Sequence, residues 1–525
     1  MRIFDYLDLW ALERPQAEAV VFGYRRITYS DYRREAERFA AGLLALGIER
    51  GDRVGLYIPN HLEFLFGYLG TAMAGAVAVP VSWRFSAQEV AYVLGHSGAR
   101  AVVMETGFMG NDFVQRLEEA RPNLPQLERL VVIGGDGPSG SMPYEIFLRE
   151  GEAFAGEIAR RKEEVSEEDG ALMLFTSGTT GKPKAPLLTH HNLVSYIRSM
   201  ISFVGMDPED RLLMDIPNNH VGGAVMAILS SLACGSTLVM LDSFIPSQVL
   251  RTIQEERITV MGQVPAQYIL LFMQPDFTDY DLSTVRTAII SGAPTPPELV
   301  EQVREKMGIV PLVAYGMTET SGAITSTLPT HSWEKVKGSV GIPIPGVEVK
   351  IVGEEGKTVA PGTVGEIAVK GEMVMSGYFG QPEVTAQSFD KEGYFLTGDV
   401  GYIDEDGFLH IMARKKEMYI RGGENVYPPE VEDVLYRHPK VMFAAVVGYP
   451  DPVLGEKGRA YIVPKPGEEL TENEIKEFCR RYLADFKVPD QVIFRDALPL
   501  TPLGKVHKYA LQEEIRKEFE GNPGR

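Results

Sequence analysis

The chain has 525 residues, of which 44% are hydrophobic and 24% are charged, a composition that excludes a disordered or low-complexity protein. Its formal net charge of -20 argues against DNA or RNA as a partner, because nucleic acids select clustered lysine and arginine. The cysteines, Cys234 and Cys479, are too few for a disulfide framework or a cysteine-rich metal site and fit a reducing compartment. At roughly 100 to 200 residues per domain, the length predicts several compact units.

Two stretches bear on targeting and membranes. Asp5, Asp8 and Glu13 interrupt the apolar residues near the N-terminus, so we expect no signal peptide and a cytoplasmic protein. Residues 216–241 are uncharged and approach the length of a membrane span, but polar residues and glycines break the run. AVMAILSSLAC followed by STLVML instead predicts a buried helix and a buried strand, with Gly235 as the stop between them. No integral membrane segment is expected.

Helical and strand signals alternate along most of the chain. SDYRREAERFAAGLLALG predicts a helix capped by Ser30 and closed by Gly47, and the strand-like run RVGLYI follows it. The same rhythm recurs where Ser86 and Glu89 form a capping box ahead of another helix and strand. The alternation predicts an α/β fold with mixed or parallel sheets flanked by helices.

The texture changes twice in the last third. From about Gly338, short apolar runs between glycine, proline and aspartate turns predict a small β-rich subdomain. After the basic run that begins at Arg414, helical and strand signals alternate again, and Thr471 with Glu474 predicts a helix cap. We therefore predict a small α+β domain that begins near Arg414.

The stretch FTSGTTGKPKAPLLTH, residues 175–190, combines glycines, hydroxyl side chains and lysines. LMLF predicts a strand and THHNLVSYIRSM a helix, so the loop's N–H groups and a helix N-terminus would converge on phosphate oxygens. The loop is not a Walker A motif, because only two residues separate Gly178 from Gly181 and Pro183 follows Lys182. On chemistry alone, a solvated turn stays open as the alternative.

Further polar clusters follow apolar, strand-like runs downstream. TAIISGAPTP ends in small residues, and PLVAYGMTETSG ends near Thr318 and Glu319. GYFLTGDVGYIDEDG places Asp399 in a predicted turn, and LPLTPLGKVHKYAL places Lys505 ahead of the final helix. Ligands bind at strand ends in open α/β sheets, so these clusters favour a phosphate site.

Taken in order, the motifs resemble those of the adenylate-forming acyl-CoA synthetases, kin of firefly luciferase and of nonribosomal peptide adenylation domains. The resemblance runs from ITYSDYRREAERFAAGL to TPLGKVHK, nearly the whole chain. It implies an N-terminal AMP-binding domain, residues 1–413, and a small mobile C-terminal domain, residues 414–525. It also implies an AMP-forming carboxylate–CoA ligase that uses ATP, CoA and Mg²⁺, in which an acid displaces pyrophosphate and the CoA thiol then attacks the acyl-adenylate.

The resemblance assigns four catalytic residues. Lys505 would bridge the substrate carboxylate and the α-phosphate during adenylation, and Thr318 would donate to that phosphate. Glu319 would be the carboxylate associated with Mg²⁺, and His220 would gate the passage between the acyl pocket and the pantetheine tunnel. Without the resemblance, Lys505 is an ordinary surface lysine, Thr318 and Glu319 begin a helix, and His220 is a packed residue.

The resemblance also assigns the nucleotide and CoA contacts. Hydroxyl groups and a lysine in the glycine-rich loop would hold the β- and γ-phosphates, and Tyr315 would face small residues across the adenine. Asp399 and Arg414 would hold the ribose, Lys416 would be the hinge, and Gly423 would line the pantetheine tunnel. The full cofactor-binding set is Thr176, Ser177, Gly178, Thr179, Thr180, Gly181, Lys182, Ser291, Gly292, Ala293, Pro294, Tyr315, Gly316, Met317, Asp399, Arg414, Lys416, Gly422 and Gly423.

Three departures from the family pattern stand out. Ala185 and Pro186 follow the loop lysine where many relatives have glycine, which reduces backbone freedom. Asn218 and Asn219 precede His220 where an apolar or aromatic residue is common. Leu454 stands where relatives carry tryptophan, which bears on how CoA is held.

The acyl pocket is expected from VGGAVMA, TAIISGA and SGAITST, which are small, apolar and free of cations for a second carboxylate. A medium- or long-chain fatty acid fits best, with an aryl or alicyclic acid as the alternative. Loading of a carrier protein, a catalytically silent nucleotide sensor and an oxygenating luciferase are the other possibilities. We also expect a homodimer as one assembly state and a lysine acetyltransferase acting on Lys505 as one partner.

Overall fold

The computed structural model describes residues 1–176, 183–353, 356–500 and 506–520. Its α/β architecture confirms the predicted class: a large N-terminal region of two sheets flanked by helices, a β-rich subdomain, and a smaller C-terminal region. Within these residues the α-helices are Asp5–Glu13, Tyr29–Ala45, Leu62–Met73, Ala87–Ser97, Phe113–Ala120, Tyr144–Gly151, Ile158–Glu164, His190–Val204, Ser230–Cys234, Pro246–Glu255, Pro265–Phe272, Pro297–Met307, Trp333–Gly338, Pro382–Gln387, Pro428–Tyr436, Glu472–Arg480 and Lys508–Glu520.

Two large sheets form the N-terminal region. In spatial order, the strands of the first sheet are Ile342–Pro343, Gly322–Ser326, Leu312–Met317, Thr287–Ser291, Val260–Gln263, Arg211–Met214, Thr237–Met240, Glu18–Phe22 and Arg25–Thr28. Those of the second sheet are Gly377–Tyr378, Pro186–Thr189, Gly170–Met173, Val77–Pro80, Arg53–Tyr57, Ala101–Glu105, Arg129–Ile133 and Met142–Pro143. Neighbouring strands in the middle of both sheets run parallel.

One apolar core joins the two sheets. Helices Tyr29–Ala45 and Leu62–Met73 contribute Phe39 and Leu69, both fully buried, to the same cluster as strand residues of each sheet, such as Leu56 and Leu312. Every residue of Leu62–Met73 except Glu63 is buried, and the helix is mostly apolar, as expected for a buried helix.

Two smaller sheets complete the chain. The β-rich subdomain pairs Val347–Val352, Gly365–Gly371, Phe395–Ile403 and Leu409–Arg414. The C-terminal sheet contains Glu424–Val426, Tyr419–Arg421, Gly455–Pro464, Val441–Asp451 and Gln491–Phe494. A short hairpin pairs Gly107–Phe108 with Asn111–Asp112.

Several local predictions are confirmed. Ser86 and Glu89 form the capping box, the Thr471 hydroxyl accepts a hydrogen bond from the Glu474 N–H, and Gly235 ends a helix in the left-handed region. Within the uncharged stretch 216–241, a buried helix precedes strand Thr237–Met240, as predicted. The first part of that helix, Gly222–Leu229, is a π-helix. No helix in the described part of the chain is both long and apolar enough to cross a membrane.

Two local predictions about where helices begin are wrong. Thr28, not Ser30, caps the second helix, because its hydroxyl accepts from the Asp31 N–H and the helix already begins at Tyr29. The glycine-rich loop does not run directly into a helix: strand Pro186–Thr189 follows it and pairs antiparallel with Gly170–Met173. The next helix begins at His190, so its N-terminus lies at the far end of that strand and does not contribute to a phosphate cradle at the loop.

Candidate active site

A cavity of about 430 Å³ opens where strands of the first sheet end, and it reaches across to the β-rich subdomain and to the start of the C-terminal region. The cavity is lined by Ser291, at the end of strand Thr287–Ser291, and by Gly292, which follows it. Gly316 and Met317, at the end of strand Leu312–Met317, also line the cavity. These residues come from two of the clusters that the sequence singled out. Ala293, Pro294 and Tyr315 adjoin them along the chain but are not among the described residues that line the cavity.

Tyr315, Asp399 and Arg414 form one bonded set across two sheets. The Tyr315 hydroxyl donates to Asp399 Oδ2 at 2.6 Å, and Arg414 Nε lies 3.1 Å from Asp399 Oδ1. Burial, and then the Asp399 charge, raise the pKa of Tyr315, so the phenol keeps its proton and donates. The expected turn at Asp399 is wrong: Asp399 lies inside strand Phe395–Ile403, directly opposite Arg414, and is 4% exposed.

Thr318 and Glu319 both line the cavity and are buried. The interpretation of the pair as the first turn of an α-helix is wrong, because the local 3₁₀ turn covers only Thr318–Thr320 and the strand Gly322–Ser326 follows. Ser321, which lies between the 3₁₀ turn and this strand, has a φ of 58°, a left-handed conformation that is uncommon for a residue with a side chain. The tight reversal turns the Glu319 carboxylate toward the cavity, where it accepts a hydrogen bond of 2.9 Å from the Tyr378 hydroxyl.

The two ends of the glycine-rich loop meet at the cavity. Thr176 and Lys184 exchange two backbone hydrogen bonds, of 2.9 and 3.0 Å, and both residues line the cavity. The predicted phosphate contacts of the loop itself, Ser177, Gly178, Thr179, Thr180, Gly181 and Lys182, lie outside the described residues, as does Lys505. The Lys184 ammonium lies 4.5 Å from the centre of the Tyr378 ring, and burial lowers its pKa.

His220 lines the cavity, and its Nδ1 accepts from the Gly222 N–H at 3.1 Å. Its position is fixed through Asn218, whose side chain donates to the carbonyls of Ile58 and Pro59 at 2.9 and 2.7 Å. The departure at Asn218 therefore has a structural role, because it ties the His220 segment to the end of a strand in the other sheet. No group of three or more metal-ligating side chains was found among the described residues, and the gating role of His220 stays a prediction.

Arg414, the last residue of strand Leu409–Arg414, completes the cavity wall together with Lys415 and Lys416, which follow it. Gly422 and Gly423 are not among the described lining residues; their φ angles are 61° and 91°. A Cβ at Gly423 would meet no protein atom within 4 Å, and the left-handed backbone by itself favours glycine there. Gly422 donates its N–H to the carbonyl of Leu454 at 2.8 Å. Leu454, which stands where relatives carry tryptophan, therefore lies next to the glycine pair.

The apolar half of the cavity agrees in part with the expected pocket. Val221, Met226 and Ala227, with Ile289 and Ala323, come from the three predicted segments. The sequence did not single out the rest of this wall, which the end of helix His190–Val204 and the neighbouring strands supply: Met200, Val204, Met206, Leu212, Met214 and Val260. It also missed Tyr378; the only local signal was an aromatic residue between turn glycines in SGYFG.

The chain matches two family models, AMP-binding enzyme over residues 7–379 and AMP-binding enzyme C-terminal domain over residues 430–505. Medium-chain acyl-CoA ligase ACSF2 of Rattus norvegicus, a mitochondrial protein, is 35% identical over 98% of this chain and 88% of its own length. Feruloyl-CoA synthase of Amycolatopsis sp is 35% identical over 98% of this chain and 99% of its own. The crystal structure of ATP-bound MatB from Rhodopseudomonas palustris is similar at a TM-score of 0.88 and 30% identity, covering 99% of this chain and all of MatB. The chain therefore belongs to the AMP-binding enzyme family, as an AMP-forming carboxylate–CoA ligase.

Proposed function

We propose that this ligase activates a medium- or long-chain fatty acid. The observation that carries the proposal is the two-part cavity, whose polar end holds Thr318, Glu319 and Arg414 and whose other half is walled by aliphatic and thioether side chains. Methionines at 200, 206, 214 and 226 supply much of that wall. Unbranched, polarisable methionine side chains adapt to a flexible acyl chain, and burial of each methylene favours binding by about 0.8 kcal/mol.

The polar end suits the chemistry at the α-phosphate. An oxygen of the acid attacks that phosphorus, the bond to the bridging oxygen breaks, and pyrophosphate leaves; the CoA thiol later attacks the acyl carbon, and AMP leaves. Negative charge accumulates at the α-phosphate in both steps, and donors fixed in advance stabilise it best. We assign the Thr318 hydroxyl and, beyond the described residues, Lys505 to this task, and Arg414 with Asp399 to the ribose.

Glu319 fits a role in holding Mg²⁺. It presents a buried carboxylate to the cavity, and one protein carboxylate suffices for an ion that keeps several waters and takes further oxygens from phosphates. When bound, the ion would neutralise charge on the β- and γ-phosphates. Glu319 would bind and orient it, and Tyr378 would fix the direction of the carboxylate.

We also propose a domain boundary between Arg414 and Glu417, close to the predicted division into residues 1–413 and 414–525. Arg414 still pairs with Asp399 in the β-rich subdomain, whereas the Glu417 carboxylate lies 3.4 Å from Lys508 in the last helix. Lys416, the predicted hinge, lies between them. A cytoplasmic location, a homodimer and acetylation of Lys505 stay predictions.

A panel of acids tests the proposal through ATP- and CoA-dependent release of AMP, with acetate to palmitate alongside benzoate and cyclohexanecarboxylate. We expect kcat/KM to rise about fourfold per methylene from butyrate until the pocket is filled. Met226→Trp should lower kcat/KM for the longest acids more than tenfold, and Met273→Trp, at an exposed position, should not. A preference for benzoate would overturn the fatty-acid assignment. Release of pyrophosphate from ATP and the acid, with no release of AMP when CoA is added, would indicate a carrier-protein acceptor.

A further inference from the structure

Tyr378 contacts two charged residues of the cavity at once. Its hydroxyl donates to Glu319 Oε1 at 2.9 Å, and the Lys184 ammonium lies 4.5 Å from the centre of its ring. Only 6% of Tyr378 is exposed, and all three residues line the same cavity. One side chain therefore makes a hydrogen bond to an anion and a cation–π contact to a cation.

The backbone fixes Tyr378 from several directions. Strand Gly377–Tyr378 pairs with Pro186–Thr189, the strand that follows the glycine-rich loop. The Tyr378 N–H donates to Thr385 Oγ1 at 2.9 Å. The next N–H, at Phe379, donates to the carbonyl of Ala185 at 2.8 Å. The tyrosine is thus anchored to the segment that carries Lys184.

The segment that leads into Tyr378 also holds the Glu319 backbone, because the Met375 N–H donates to the Glu319 carbonyl at 2.7 Å. Lys184 and Glu319 carry opposite charges and would attract each other strongly at the low dielectric of a half-buried site. The structure shows no salt bridge between these two described residues. The Lys184 ammonium lies against the Tyr378 ring, and the Glu319 carboxylate accepts from the Tyr378 hydroxyl. A direct ion pair would occupy the Lys184 ammonium, which could otherwise bind phosphate, and the Glu319 carboxylate, which could otherwise bind the divalent cation.

We propose that Tyr378 is a positioning residue that keeps Lys184 and Glu319 apart, so that the carboxylate stays available to a divalent cation and the ammonium to phosphate. This inference rests on the proposed association of Glu319 with Mg²⁺. It assigns different tasks to the two parts of one side chain: the hydroxyl orients Glu319, and the ring holds Lys184. The two tasks can be separated by substitution.

Tyr378→Phe removes the hydroxyl and keeps the ring, whereas Tyr378→Leu removes both. The chain offers a matched control: the Tyr394 hydroxyl donates to Glu348 at 2.6 Å, with the Lys350 ammonium 3.9 Å from the centre of its ring, outside the cavity lining. Binding of ATP to the full-length protein is measured by calorimetry, once with Mg²⁺ and once with EDTA. Because the readout is binding, it does not depend on turnover.

We expect Tyr378→Phe to raise the Kd for ATP with Mg²⁺ about tenfold and to leave the Kd in EDTA within twofold. Tyr378→Leu should weaken binding under both conditions, and Tyr394→Phe under neither. In a Glu319→Gln background, Tyr378→Phe should add less than twofold, because the hydroxyl acts through that carboxylate.

Equal Mg²⁺-dependent binding by Tyr378→Phe and Tyr394→Phe would overturn the inference and leave the proposed function standing. A full tenfold effect of Tyr378→Phe in the Glu319→Gln background would also overturn it. If the wild-type protein binds ATP equally well with and without Mg²⁺, the assignment of Glu319 to the ion fails, and the inference fails with it.

Discussion

Asp399 is bonded to two residues of the candidate nucleotide site, Tyr315 and Arg414, although it is not itself among the described residues that line the cavity. One carboxylate oxygen accepts from Tyr315, in the first large sheet, and the other faces Arg414, at the end of the β-rich subdomain. At 4% exposure, the carboxylate depends on these partners for the solvation that it has lost to water. Tyr315 and Arg414 are thus held in place by contacts within the chain itself.

Replacement of Asp399 with asparagine should weaken the use of ATP. The amide keeps an acceptor for Tyr315 but leaves the Arg414 guanidinium without its charged partner, and hydrogen bonds to charged groups contribute about 1.5 to 3 kcal/mol. We expect kcat/KM for ATP to fall about 30-fold, with KM for CoA within twofold. Initial rates at varied ATP measure the effect.

Asp404→Asn provides the matched control. Asp404 follows the strand that contains Asp399 and also binds a cation, with Lys335 Nζ at 2.6 Å and His410 Nε2 at 2.9 Å. Neither of these partners lines the cavity, whereas Arg414, the partner of Asp399, does. We expect its kcat/KM for ATP to stay within twofold of the wild type. If the two variants lost activity equally, the loss would reflect general damage to the β-rich sheet, and the ribose assignment would fail.

At the scale of elements, the sequence predicted what local chemistry decides. Caps at Ser86 and Thr471 and the stop at Gly235 depend on neighbouring residues, and the structure confirms all three. Asp399 looked like a turn residue because glycines flank it in TGDVG, yet pairing with Arg414 places it in a strand. No local pattern encodes that partner.

The same limit explains the missed parts of the site. Tyr378 and Glu319 are 59 positions apart, and Tyr315 and Asp399 are 84 apart, so only the folded sheets bring them together. PLLT is too short to distinguish a strand from the start of the following helix, and the structure resolves it through pairing with Gly170–Met173. The family resemblance supplied residue identities for the nucleotide site but not these contacts.

Two glycines that end helices separate backbone conformation from packing. Gly205 and Gly235 have φ angles of 70° and 79°, but a Cβ at Gly205 would meet nothing within 4 Å, whereas one at Gly235 would lie 2.6 Å from the Trp10 ring. Gly205→Ala should cost about 1 kcal/mol from the left-handed backbone alone. Gly235→Ala should cost about 3 kcal/mol, because overpacking adds to it. Urea denaturation followed by circular dichroism compares them, and equal losses would contradict the packing argument.

At the scale of the molecule, ion pairs fix the chain on both sides of Lys416. Lys415 Nζ lies 2.9 Å from Glu366 of the β-rich subdomain. On the other side, Lys508 Nζ lies 3.4 Å from Glu417 and 2.8 Å from Glu432, whose carboxylate also accepts from the Val446 N–H. A rotation of the small domain about Lys416 would carry Glu417, Glu432 and Lys508 together and leave Lys415 behind. Lys508 therefore joins the last helix to the segment that follows Lys416, the predicted hinge.

Lys508→Met should loosen the small domain and leave the nucleotide site intact. Removal of one partner from a buried pair costs about 3 to 5 kcal/mol, because Glu432 then stays buried without its cation. We expect faster hydrogen exchange in strand Val441–Asp451, unchanged exchange in Leu312–Met317, and a kcat about tenfold lower with KM for ATP within twofold. Lys508→Arg should restore most of the loss.

Lys487→Met, which breaks a more exposed pair with Glu430, should cost about 0 to 1 kcal/mol and leave exchange unchanged. Faster exchange in both strands would show that Lys508 supports the whole chain, and unchanged exchange in Val441–Asp451 would show that the tie to the last helix is not needed.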